Sequence, residues 1–199
     1  MPRFAAADCL IQPIRQSIEG TDPVLLKVPD HGHVWIDPVR KLFKSHIRSE
    51  EGFFTARPEA LIMQADSASP DGGARALDEL LYRAGWFASD SALIDECHPY
   101  DIIEMRQWPN FTRLPHAQSL FALASLLARR PSSMSIAYRK LRVPQTEALR
   151  FFNAVVAAGY VRVVSSQPDS VSAPASKDAV EAPAAGGFWS RLFERMSGL

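Results

Sequence analysis

Four short stretches of this 199-residue chain carry side chains able to do chemistry. In the first, Asp30-His31-Gly32-His33 with Asp37 close behind, imidazoles and carboxylates of the metal-ligating kind lie together. On a strand His31 and His33 share one face, and a third ligand has to come from a distant position such as His46, Cys97 or His98. In the second, Glu96-Cys97-His98, a thiol stands next to a base, the pairing that activates a cysteine nucleophile. Neighbours in a strand point to opposite faces, however, and no oxyanion-hole motif accompanies the triplet. A metal- or nucleotide-dependent enzyme in the first half is therefore the weakest reading. The histidines read as solvated hairpin residues, and no metal, cofactor or catalytic residue is expected. The chain has no phosphate-cradling glycine loop, Gly-x-Ser-x-Gly elbow or zinc-finger cysteine pair.

The third stretch is cationic. Arg129, Arg130, Arg139, Lys140, Arg142 and Arg150 are interleaved with Gln145 and Thr146. Arginine pairs with guanine edges or phosphates, and Gln or Asn, here Gln145 and Asn153, with adenine. The same cations suit an acidic protein surface. Glu147 fits the first turn of a helix by its dipole alone, and Ala154, Ala157 and Ala158 read as outer positions that offer no contact. The fourth stretch is "FWSRLFERMSGL" at the C-terminus. Phe188, Trp189, Leu192, Phe193 and Met196 fall on one helical face, with Ser190, Arg191, Glu194 and Arg195 on the other. Such a peptide fits a groove on a partner protein. Folding back onto the chain's own surface is the next reading, and a membrane surface suits it less, since only Arg191 and Arg195 are basic.

Charge separates these stretches. The formal net charge is zero, but residues 1–111 hold 11 Lys/Arg against 17 Asp/Glu, and residues 112–164 hold 8 against 1. An acidic half is joined to a basic module, an asymmetry that bears on partners rather than on fold. Two widely separated cysteines point to a reduced, cytoplasmic compartment. No apolar run approaches the ~20 residues of a membrane span.

The elements that carry these groups follow from pattern. Val24–Val28 and Val34–Asp37 read as strands joined by Pro29-Asp30-His31-Gly32, where Gly32 is free to take positive φ. Leu42–Ile47, Phe53–Phe54 and Ala60–Met63 are further short strand candidates. In "ARALDELLYRAGWF" Leu77, Leu80, Leu81 and Ala84 form a helical stripe, with Asp78, Glu79 and Arg83 outside and Gly85 as the stop. "DIIEMRQWP" reads as a strand closed by Pro109. In "RQWPNFTRLP" Trp108, Phe111 and Leu114 read as packing between domains. "SLFALASLLARR" is a helix ended by Pro131. Ser132 and Ser133 can cap "SIAYRKLR", and Pro144 opens a third helix with Leu149, Phe152, Val155 and Val156 inside. Gly159 takes the left-handed position after it, and Tyr160–Val164 is a strand.

This order, three helices with short turns and then a strand over Ala117–Val164, resembles the winged-helix branch of the helix-turn-helix superfamily. The resemblance implies that the third helix is placed as a reader of DNA, with Gln145, Thr146 and Arg150 towards base edges. A full wing needs a second strand after Val164, where the sequence instead runs into Ser, Ala and Pro.

The expected architecture is α+β. A mixed antiparallel-sheet domain (1–111) precedes a basic, truncated winged-helix-like module (112–165), a disordered linker (166–187) and the amphipathic peptide (188–199). The expected role is a non-enzymatic regulatory or adaptor protein with a protein partner for the C-terminal peptide. The alternative is a transcriptional regulator on double-stranded DNA whose first half senses a ligand or dimerises.

Overall fold

Alternating apolar residues in the first half build a five-stranded antiparallel sheet. The computed structural model describes residues 1–66 and 72–165. A short strand β1 (Arg3–Phe4) and a 3-10 turn lead into helix α1 (Ile11–Glu19). The sequence pattern does not mark this helix. Pro13 falls in the first helical turn, where its missing N–H costs nothing, and Ile11 and Ile14 are buried beneath it. Strands β2 (Val24–Val28), β3 (Gly32–Asp37) and β4 (Leu42–Ile47) form the expected meander. The turn between β2 and β3 places Asp30 at φ 64° and Gly32 at φ 126°. A Cβ on Gly32 would lie 2.2 Å from the His46 carbonyl oxygen, so only glycine lets β3 approach β4 so closely.

Phe53 and Phe54 are helical, in α2 (Glu50–Phe54), and not a strand. Ser49 caps this helix, its side chain accepting from the Gly52 N–H at 3.1 Å, and Glu50 and Glu51 stand in the favoured first turn. Strands β5 (Ile62–Ala65) and β6 (Arg75–Ala76) complete the sheet, in the order β5-β2-β3-β4-β6. One sheet face, with Leu26, Val28, Val34, Ile36 and Phe43, packs against Ile11, Ile14, Phe53 and Phe54. Leu77, Leu80 and Ala84 of helix α3 (Leu77–Ala88) complete this core.

Gly85 does not end α3, which runs on to Ala88. It stands where α6 (Gln145–Ala157) crosses: a Cβ there would lie 2.5 Å from the Asn153 carbonyl oxygen and 2.8 Å from the Ala154 Cα. Nor are Glu79 and Arg83 on an outer face, both being more than nine-tenths buried. Arg83 is tied to Glu50 and to the Arg113 carbonyl oxygen. Strand β7 (Leu93–Ile94) pairs in parallel with β1.

Beyond β7 the core continues across the boundary expected at residue 111. Tyr82, Trp86 and Leu93 share one buried cluster with Leu120, Leu123 and Leu127 of helix α4 (Leu120–Arg129). Met134 and Ala137 of α5 (Met134–Leu141) and Phe151, Phe152 and Val155 of α6 belong to the same cluster. Strand β8 (Ile102–Met105), expected in the first domain, pairs antiparallel with β9 (Val161–Ser165), with one irregularity between Ile102 and Ile103. The strand partner that the sequence lacks after Val164 is thus supplied from upstream. On its other side β8 bridges Ser132. The described residues belong to one compact α+β unit, Met1–Gln167. Residues 166–187 and 188–199, including Phe188, Trp189, Leu192, Phe193 and Met196, lie outside the described residues.

Candidate binding surface

The cationic stretch is presented by two helix ends and two turns. Helix α4 stops at Arg129 because Pro131 cannot extend it, and Arg130 is extended at φ −145°. Ser132 then exchanges both backbone hydrogen bonds with Ile103, at 3.0 and 3.2 Å, which anchors the entry to α5 on the sheet. Ser133 occupies the position before α5, but its hydroxyl makes no capping bond and is buried without a partner. Helix α5 ends on Arg139 and Lys140, and Arg142 follows in the left-handed region at φ 54°. Its N–H still reaches the Arg139 carbonyl at 3.2 Å, and the Val143 N–H the Tyr138 carbonyl at 2.9 Å. Pro144 then starts α6, whose first turn exposes Gln145 and Thr146.

Ion pairing divides the eight Lys and Arg of residues 112–164 into two sets. Arg113 lies 3.9 Å from Glu79, Arg150 3.2 Å from Asp90 and Arg162 2.7 Å from Glu104, all carboxylates of residues 1–111. The acidic half thus engages three of the module's cations. Arg129, Arg130, Arg139, Lys140 and Arg142 are exposed, and among the described residues none has a carboxylate partner. Of the expected group, Arg150 is paired with Asp90.

Helix α6 is far more buried than a groove reader. Ala148, Leu149, Phe151, Phe152, Asn153, Ala154, Val155 and Ala157 are all buried. Ala154 and Ala157, read from the sequence as outer positions, face the rest of the chain because α3 packs on that side. Asn153 reads no base: its amide donates to the Ser89 and Ala92 carbonyls at 3.1 and 3.0 Å, and its oxygen accepts from the Ile94 N–H at 2.9 Å. Glu147 is occupied by the Ser119 hydroxyl. Only the first turn of α6 is free to meet a partner.

One of the five unpaired cations and its neighbour Gln145 help to form a concavity of about 310 Å³. Arg139 and Gln145 line it together with Arg3, His98, Tyr100, Ser135 and Tyr138. The Arg139 guanidinium lies 5.8 Å from the centre of the Tyr138 ring, and its Nε donates to the Tyr138 hydroxyl at 3.3 Å. His98 and Tyr100 stand ring to ring at 5.5 Å. This is a donor-rich, aromatic-walled recess suited to a carboxylate or other anionic group. Arg3 and Tyr100 were invisible to sequence reasoning as site residues, and His98 reads from the sequence only as a metal ligand or a base beside Cys97. They reach α5 only because β1 pairs with β7, a contact across some 90 residues for which no local signal exists.

The stretches that looked reactive are built otherwise. Cys97 is buried, and its thiol is pushed up to about 12, by burial first and by the Asp101 charge second, so the thiolate is disfavoured. His31 lies in the turn and packs its ring on Gly52, whereas His33 is on the sheet's solvent face, so the two imidazoles do not converge. Among the described residues no group of three metal-ligating side chains occurs, and no helix is long and apolar enough to cross a membrane.

Phe111 and Leu114 are buried as packing residues, but Trp108 is 48% exposed. With Phe111, His116 and the 44% exposed Phe121 it lines an apolar depression of about 590 Å³. Compared with known proteins, the chain matches no family model, no curated protein and no solved structure.

Proposed function

We propose that this protein is a non-enzymatic adaptor that grips an acidic surface of a partner protein through the cations at the ends of α4 and α5 and the start of α6. One observation carries this reading: Arg129, Arg130, Arg139, Lys140 and Arg142 have no carboxylate among the described residues, whereas the other three cations of the module do. The helix dipole alone accounts for Arg129, Arg139 and Lys140, which sit in last helical turns. It does not account for Arg130 and Arg142, which lie outside the helices. Arg142 moreover holds a backbone conformation that costs a residue with a side chain about 1 kcal/mol.

A protein partner is favoured over base reading in duplex DNA because only Gln145 and Thr146 protrude from the first turn of α6. Phosphate contacts alone would give binding without sequence preference. In this reading the apolar face of residues 188–199 adds a second contact, in a groove on the partner.

The test is fluorescence anisotropy of the full chain with a labelled Asp/Glu-rich peptide and with a short DNA duplex over a range of salt. Salt-sensitive binding of the peptide is expected, weakened at least about tenfold by R129E/R130E/K140E/R142E. Peptide affinity untouched by the four reversals rejects the proposal. Tighter, sequence-dependent binding of the duplex replaces it with the transcriptional-regulator reading.

A further inference from the structure

The sheet's helix-free face carries a second cationic group, in the half of the chain whose net charge is acidic. Registers fix its geometry. Lys27 of β2 pairs with His33 of β3, and His33 pairs with His46 of β4, so three nitrogen-bearing side chains form a row across neighbouring strands. Arg48 stands just past the end of β4 and lines the same depression. Its N–H is held at 2.9 Å by the His31 carbonyl, which fixes the chain as it leaves β4. The imidazole centres of His33 and His46 are 5.6 Å apart. Lys27, His33, His46 and Arg48 line one depression of about 360 Å³ over Gly32, with Asp30 the one carboxylate in its wall.

Nothing in the fold calls for this arrangement. Solvated polar residues of mixed sign would leave the other face of the sheet just as well covered. Among the described residues, the side chains of Lys27 and Arg48 have no hydrogen-bond or ion-pair partner. Four groups able to donate hydrogen bonds therefore line one small concavity against a single carboxylate, Asp30. An imidazole donates an N–H even when neutral, so all four can serve an anion at neutral pH. The close approach of β3 to β4 that Gly32 permits brings His33 and His46 within reach of a single ligand group.

We infer that this depression is a binding site for the phosphate of a small phosphomonoester. A phosphate offers several acceptor oxygens to donors on different sides, whereas a carboxylate offers two in one plane. The concavity is lined by a few side chains and shares His33 and His46 with a smaller depression beside Trp35 and Lys44. It suits a single terminal phosphate rather than the repeating diesters of a nucleic acid strand. The site stands on the sheet and is independent of the helix-end cations assigned to partner binding above.

The experiment follows the His33 and His46 ring resonances of the isotopically labelled full chain during titration. The probes are inorganic phosphate, a simple phosphomonoester such as glycerol phosphate, sodium chloride at matched ionic strength, and a short single-stranded oligonucleotide. Saturable shifts of both histidines are expected with the two phosphates, and none with chloride. The double variant K27Q/R48Q, whose side chains are exposed and leave the core untouched, should weaken phosphate binding by at least about tenfold. An unchanged melting temperature verifies that it folds as the parent does. Shifts of equal size with chloride would reduce the effect to screening and overturn the proposal. So would phosphate affinity that survives K27Q/R48Q, or an oligonucleotide that binds far more tightly than the monoester.

Discussion

Arg142 couples a backbone cost to a charge, and the two can be separated by experiment. Its left-handed conformation would suit glycine, which carries no Cβ penalty. Arg142→Gly is expected to leave stability unchanged or raise it by about 1 kcal/mol in urea unfolding, while weakening the acidic-peptide complex. A merely structural residue would not split the two readouts in this way. A second residue-scale prediction concerns Tyr160, whose hydroxyl donates to the Asp78 carboxylate at 3.0 Å. Burial above all, and then the charge of Asp78 and this hydrogen bond, push its pKa far up. An unfolded tyrosine releases its proton near pH ~10, while the folded one still holds it. The stabilisation is therefore intact below about pH 10 and is lost as pH rises beyond it. Urea midpoints should fall steeply between about pH 10 and 11 in the parent and less steeply in Tyr160→Phe. The variant should also lose about 1 kcal/mol at neutral pH, the worth of one hydrogen bond.

At the scale of elements, α3 and α6 cross with their backbones in close approach at Gly85. Gly85→Ala puts a methyl carbon against the α6 backbone at Asn153, and neither helix has a flexible side chain there to yield. A loss of about 2 kcal/mol is expected in thermal or chemical unfolding, although alanine is the better helix former. The same joint shows what the sequence could and could not convey. Local signals were legible: the β2–β3 turn at Gly32, the stop after α6 at Gly159, and the ends of α4 and α5. They depend on backbone chemistry within a few residues. Gly85 was misread as a stop because a glycine that ends a helix and one that admits a neighbouring helix look alike in isolation. Likewise the alanines of α6 appeared to be a bland outer face when they are a second packing face. The exposed cations at the helix ends were legible because each stands at or just past a local helix stop. Arg3 and Tyr100 were not, and neither was the row formed by Lys27, His33 and His46, because strand pairing and long-range loop contacts decide those neighbours.

For the whole molecule, the shared core means that the basic module is not a detachable part. Residues 112–165 lack β8, the partner of β9, and α3, against which α6 is buried. That fragment is expected to show little cooperative melting by circular dichroism and to bind hydrophobic dye. The full chain should lose α-helix and sheet signals in one coincident transition. An isolated fragment that melts sharply would contradict the continuity of the core. The pairing of β1 with β7 bears on how the chain is made. The first strand emerges from the ribosome with nothing to pair against until residue 94 is out. The loop before β7 in turn waits for the amide of Asn153. At roughly 10 residues per second, the opening segment stays unsecured for about 15 s of synthesis. During that interval it is a natural client for whatever shields nascent chains near the exit tunnel.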